Sequence, residues 1–138
     1  MGLEPKTNMD TVPGCVFAFP EVAFVGITED EAQVKEIPYK TGKFMFGANG
    51  KALTLGEGEG FIKVISDERD RLIGVHILGP HASDLIHEGA LAIGMKLSTE
   101  DILGTIHAHP TLSESFAEAV MDLKGISLHS APYKKRKE

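Results

Sequence analysis

Residues 107–114 read His107-Ala108-His109-Pro110-Thr111-Leu112-Ser113-Glu114. Two imidazoles, a proline and a carboxylate stand together at the start of an apolar-periodic stretch. Histidine is the side chain whose unperturbed pKa lies near neutrality. A carboxylate within reach fixes its tautomer and raises its basicity, which is how a general acid–base is built. Pro110 stiffens the approach and permits a cis bond after His109. Helix spacing does not bring positions five apart face to face. A His109–Glu114 pair therefore requires the turn before the helix to fold His109 back.

Other readings of these residues stay open. Thr111-x-x-Glu114 has capping-box spacing, so Glu114 can serve as a helix cap, alone or together with orienting His109. His109 by itself is also compatible with a structural histidine. His107-x-His109 offers two metal ligands if His87 or Glu88 supplies a third. No cysteine pair or further spaced histidine supports that set, so no metal is expected. Ser113 lies in no nucleophile elbow. His76 falls inside a strand pattern as a packed or edge residue, and His81 and His129 sit in loop-like sequence without a motif.

Residues 56–60, Gly56-Glu57-Gly58-Glu59-Gly60, lack the lysine–serine or lysine–threonine ending of a phosphate loop, and their glutamates would repel a phosphate. They read as a flexible hairpin connection. No G-x-G-x-x-G fingerprint occurs, so the chain has no evident dinucleotide clamp of its own.

The elements that must position the motif follow from periodicity. A short apolar run at residues 22–26 reads as a buried strand. Thr28-Glu29-Asp30-Glu31 has capping-box spacing and opens a short helix to about residue 35. Residues 39–46 alternate as a strand, and Ala48-Asn49-Gly50 reads as a turn. Residues 61–65 and 72–78 form the clearest hairpin, around a polar turn at residues 67–70. Gly79-Pro80 ends the sheet pattern. Residues 82–96 read as a helix buried on much of its surface, with Gly89 and Gly94 permitting close approach. Ser98-Thr99-Glu100-Asp101 opens a second helix to about residue 106. Residues 111–123 form a third, with Leu112, Phe116, Ala119, Val120 and Leu123 on one side. Strands followed by helices argue for an α+β fold: an antiparallel sheet of about four to five strands covered on one face by helices.

The chain has 138 residues, enough for one modest core. A formal net charge of −6 disfavours nucleic-acid binding. Cys15 is the single cysteine, which excludes an internal disulfide and a CxxC pair. With no membrane-spanning run and no signal-peptide pattern, the expected setting is a reducing, aqueous compartment. The basic run Lys134-Lys135-Arg136-Lys137 reads as a solvated end.

From residue 12 to about 123 the sequence resembles the C-terminal dimerisation domain of dihydrolipoamide dehydrogenases, in the flavin-dependent pyridine nucleotide–disulfide oxidoreductase family. The anchors are Phe19-Pro20-Glu21-Val22-Ala23-Phe24-Val25-Gly26, Gly42-Lys43-Phe44, Ala48-Asn49-Gly50-Lys51-Ala52, Gly74-Val75-His76-Ile77-Leu78-Gly79-Pro80 and His107 through Glu114. The last is the most specific and looks like the lipoamide branch.

The resemblance implies an acid–base role for His109 and an orienting role for Glu114. It implies that main chain at His109 and Pro110 closes the flavin site of the opposite subunit. It divides the chain into an unassigned segment 1–11, the domain 12–125 and a tail 126–138. It implies FAD and NAD as cofactors of a full-length enzyme, with neither expected bound to this chain, because the FAD fingerprint, redox cysteine pair and NAD domain are absent from these residues. The implied partners are a second copy of the chain and the subunit-binding domain of an acyltransferase. The implied compartment is the cytoplasm, or a mitochondrial or plastid matrix in a eukaryote. Alternatives are a stand-alone dimerisation or docking module without catalysis, and the same domain of a related flavin disulfide reductase.

Overall fold

A computed structural model describes residues 8–130. Among these residues, five strands form one antiparallel sheet in the order β1-β2-β5-β4-β3. They are β1 (Gly14–Val16), β2 (Glu21–Gly26), β3 (Tyr39–Met45), β4 (Phe61–Asp67) and β5 (Leu72–Gly79). Alternation along each strand sends every second side chain to one face. The register brings Ala23 opposite Ile77 and Val25 opposite Val75. It also pairs Ile62 with Ile77, Val64 with Val75, Phe44 with Ile62 and Gly42 with Val64. One face is thus a continuous apolar surface.

Two helices cover that face. α3 (Ala82–Gly94) packs on β2 and β5, and α5 (Glu114–Asp122) packs on β3 and β4. Ile86 and Ala92 of α3 and Phe116, Ala119 and Val120 of α5 are buried in the core. Gly89 shows why α3 can lie so close: a Cβ there would stand 2.9 Å from Val75 Cγ2. Gly94 has no such role, since its nearest neighbour would be 3.6 Å away. α1 (Glu29–Val34) lies toward the other face, where Glu29 pairs with Lys63 at 2.7 Å.

Local signals worked where they were self-contained. Thr28 and Glu31 complete a capping box at α1, and Ser98 and Asp101 complete one at α4 (Thr99–Leu103).

Four boundaries differ from the sequence reading. β1 was missed, because three residues are too few to show alternation. The expected turn at residues 48–50 is instead a 3-10 turn leading into a helix, α2 (Gly50–Leu55), capped by Asn49. The β3–β4 connection therefore contains a helix, and the glycine-rich stretch only follows it. α4 stops at Leu103, with Gly104 as its C-cap, three residues short of expectation. α5 begins at Glu114 rather than Thr111. In addition, Leu91 and Met95 of the α3 region are exposed, so that helix buries one side only.

Candidate active site

The short α4 leaves residues 105–113 as a loop between α4 and α5, and this loop carries the motif. The His109–Pro110 bond is cis. His109 Nδ1 lies 2.9 Å from Glu114 Oε1. The other carboxylate oxygen, Oε2, accepts from the Thr111 N–H at 2.7 Å. Glu114 therefore caps the loop and faces the histidine at once. Thr111 does not complete a capping box: its hydroxyl turns to the Ala108 carbonyl at 2.6 Å and to Ser113 Oγ at 2.8 Å.

The electrostatics set the tautomer. Burial works to raise the Glu114 pKa, but the Thr111 N–H and the His109 ring outweigh it and hold the group below the ordinary glutamate value. An ionised carboxylate only accepts hydrogen bonds, so the proton on a neutral His109 ring sits on Nδ1. That leaves Nε2 bare, and it has no partner among the described residues. The His109 side chain is 79% exposed. The arrangement is a proton acceptor turned outward, with its far side held by an anion.

Asn49 was not foreseen as part of the site. It is buried, and its Nδ2 donates to the Thr111 carbonyl at 3.0 Å and to Ser115 Oγ at 2.9 Å. Its Oδ1 accepts from the Ala52 N–H. One amide thus joins the start of α2, the motif loop and the first turn of α5. Its position as an N-cap was the available local signal.

His107 and His109 turn to different partners. His107 Nε2 lies 2.7 Å from Glu88 Oε1 in α3, away from Glu114. No group of three or more potential metal ligands occurs among the described residues. His76, in β5, has both ring nitrogens buried without a partner. Burial first, and then nearby Lys63, lower its pKa and favour the neutral ring. His129 holds Glu118 at 2.6 Å rather than lying idle in a loop.

Residues 12–120 match the family described as pyridine nucleotide-disulphide oxidoreductase, dimerisation domain. The chain belongs to this family. It is 46% identical to a dihydrolipoamide dehydrogenase of Chaetomium thermophilum over 88% of this chain and 24% of that protein. It is 45% identical to a dihydrolipoyl dehydrogenase of Bacillus subtilis over 93% of this chain and 27% of that protein. Among solved structures, LpdA of Mycobacterium tuberculosis superposes with a TM-score of 0.80 at 27% identity, over 85% of this chain and 26% of that one. The chain spans about a quarter of the length of the curated relatives it matches.

The carbonyls of His109 and Pro110 accept no hydrogen bond among the described residues, and both residues are exposed. They are free to face a group outside the chain. No helix of the described residues is long and apolar enough to cross a membrane.

Proposed function

We propose that this chain is the interface domain of a dihydrolipoyl dehydrogenase, which oxidises protein-bound dihydrolipoamide with NAD through FAD and a redox disulfide. The observation that carries the reading is the His109–Glu114 pair at 2.9 Å with Nε2 bare and outward. His109 Nε2 takes the proton from a dihydrolipoamide thiol, and the thiolate so formed attacks one sulfur of the enzyme disulfide supplied from outside this chain, so that a mixed disulfide forms as the old S–S bond breaks and its other sulfur leaves as a thiolate. Glu114 holds the ring and stabilises the imidazolium. FAD, when bound, would supply a two-electron relay between the reduced disulfide and NAD. Main chain at His109 and Pro110 is the contribution of this domain to the flavin site. The isolated chain, lacking a cysteine pair, is inert.

The same reading makes the chain a homodimer in an aqueous compartment, the cytoplasm or an organelle matrix. Its net charge of −6 suits a basic docking domain from an acyltransferase, through salt-sensitive association. A second reading is the same domain in a related flavin disulfide reductase. It is favoured by the 46% identity to a leghemoglobin reductase of Vigna unguiculata and by the likeness to the flavoprotein disulfide reductase RclA of Escherichia coli.

The test is His109→Gln in the full-length flavoenzyme, assayed with dihydrolipoamide and NAD. Turnover falls about 10²–10⁴-fold, the usual contribution of a positioned acid–base. Unchanged turnover removes the assignment.

A further inference from the structure

The loop that carries His109 has no helix or strand of its own, yet a proton acceptor must stand in a fixed place to work. Downstream, the loop is tied by Thr111, whose carbonyl takes a hydrogen bond from Asn49 and whose N–H gives one to Glu114. Upstream, the tie is His107. Its side chain is 10% exposed, against 79% for His109 two residues on. Its Nε2 meets Glu88 Oε1 at 2.7 Å, and its Nδ1 meets the Thr105 carbonyl at 3.2 Å. Glu88 belongs to α3, whose neighbour Gly89 sits against Val75 of the sheet.

We propose that His107 and Glu88 are positioning residues for His109. They pin the motif loop to α3, and through α3 to the sheet, so that the backbone enters His109 from one place. This rests on the acid–base reading of His109. The chemistry of the pair is specific. A backbone carbonyl only accepts, so Nδ1 carries a proton toward Thr105. Nε2 then either donates to the Glu88 carboxylate or accepts from its acid form. An amide can do either, through its oxygen or its nitrogen, so glutamine at position 88 keeps the strut. Leucine, of similar size, can do neither and leaves the mostly buried imidazole with an unmet polar atom.

The experiment compares Glu88→Leu, Glu88→Gln and His107→Phe. In this 138-residue chain, nitrogen-15 NMR of the His109 ring reads its geometry directly, with Glu114→Ala as the reference for a freed ring. Glu88→Leu and His107→Phe move the His109 ring shifts toward that reference, and Glu88→Gln keeps them near the original. In the full-length flavoenzyme, Glu88→Leu lowers kcat about 10- to 100-fold, the scale of a displaced reacting group, and Glu88→Gln recovers most of the loss. Unmoved His109 shifts in both disruptive variants overturn the proposal. So does loss of dispersed amide signals in both, because the pair would then be holding the fold rather than the loop. If His109→Gln leaves turnover intact, the functional reading fails alone, and the ring shifts still decide whether the strut exists.

Discussion

Glu118 shows how much one carboxylate can organise. It is 5% exposed, in the middle of α5, and it gathers the Ser127 hydroxyl, the N–H groups of Leu128 and His129 and the His129 ring. Burial works to raise its pKa, but the hydroxyl, the ring and the two N–H groups outweigh burial and hold it below the ordinary 4.5. A carboxylate with a lowered folded-state pKa stabilises the fold fully above its unfolded value, and the contribution fades as pH falls through the folded value. Glu118→Gln therefore costs about 1–3 kcal/mol near neutrality, measured by denaturant unfolding. The gap between the two proteins narrows as pH falls below about 4.5, because glutamine has no proton to take up. A gap that stays constant from pH 7 to pH 3 would sink this account. Glu114 follows the same sign, with the Thr111 N–H and His109 opposing burial.

At the scale of elements, the site depends on how closely α5 lies on the sheet. Gly42 in β3 sets that distance. A Cβ there would stand 2.2 Å from the Ala119 carbonyl and 2.8 Å from the Leu123 nitrogen, both main-chain atoms that cannot swing aside. Gly42→Ala must push α5 outward and should destabilise the domain by about 1–3 kcal/mol, the usual cost of overpacking. Since α5 begins at Glu114, the same shift should loosen the His109–Glu114 hydrogen bond. Thermal unfolding by circular dichroism checks the first consequence, and unchanged stability would show that α5 is free to slide. The sequence marked Gly42-Lys43-Phe44 by resemblance alone. Nothing in its spacing says which helix would cross it.

At the level of the molecule, much apolar surface is uncovered among the described residues. Phe17 and Phe19 are 80% and 90% exposed, and Leu91, Met95 and Ile106 are also exposed. Single exposed apolar residues are ordinary, but so many large ones on a small domain mark surface meant for another body. A second copy of the chain covers part of it in the proposed homodimer, through a large apolar interface. Sedimentation equilibrium at micromolar concentration should report twice the 14.9 kDa chain mass. Only the single-chain mass would leave the homodimer without support for this chain alone.

Several local signals were legible in advance, though the Asn49 cap of α2 reads as a turn in the sequence and Thr111 with Glu114 does not close a capping box. A short apolar run marked β2, alternation marked β3, and two apolar stretches around a polar turn marked β4 and β5, because each strand keeps a face on the core. Thr28 with Glu31 and Ser98 with Asp101 announced two helix starts, because a capping box closes within four residues. The histidine–proline motif named the acid–base candidate because its residue types are chemically narrow. What needed the folded chain were pairings across long separations. Glu21 of β2 caps α3 through Ser83, 62 positions away, and Asn49 reaches Thr111 across the same separation. His107 finds Glu88 over 19 positions. Periodicity reports which face is buried, but it holds no record of the partner. Only the crossing of α3 and α5 over the sheet decided that one histidine of the motif is anchored inside and the other is exposed, with Nε2 unpaired among the described residues.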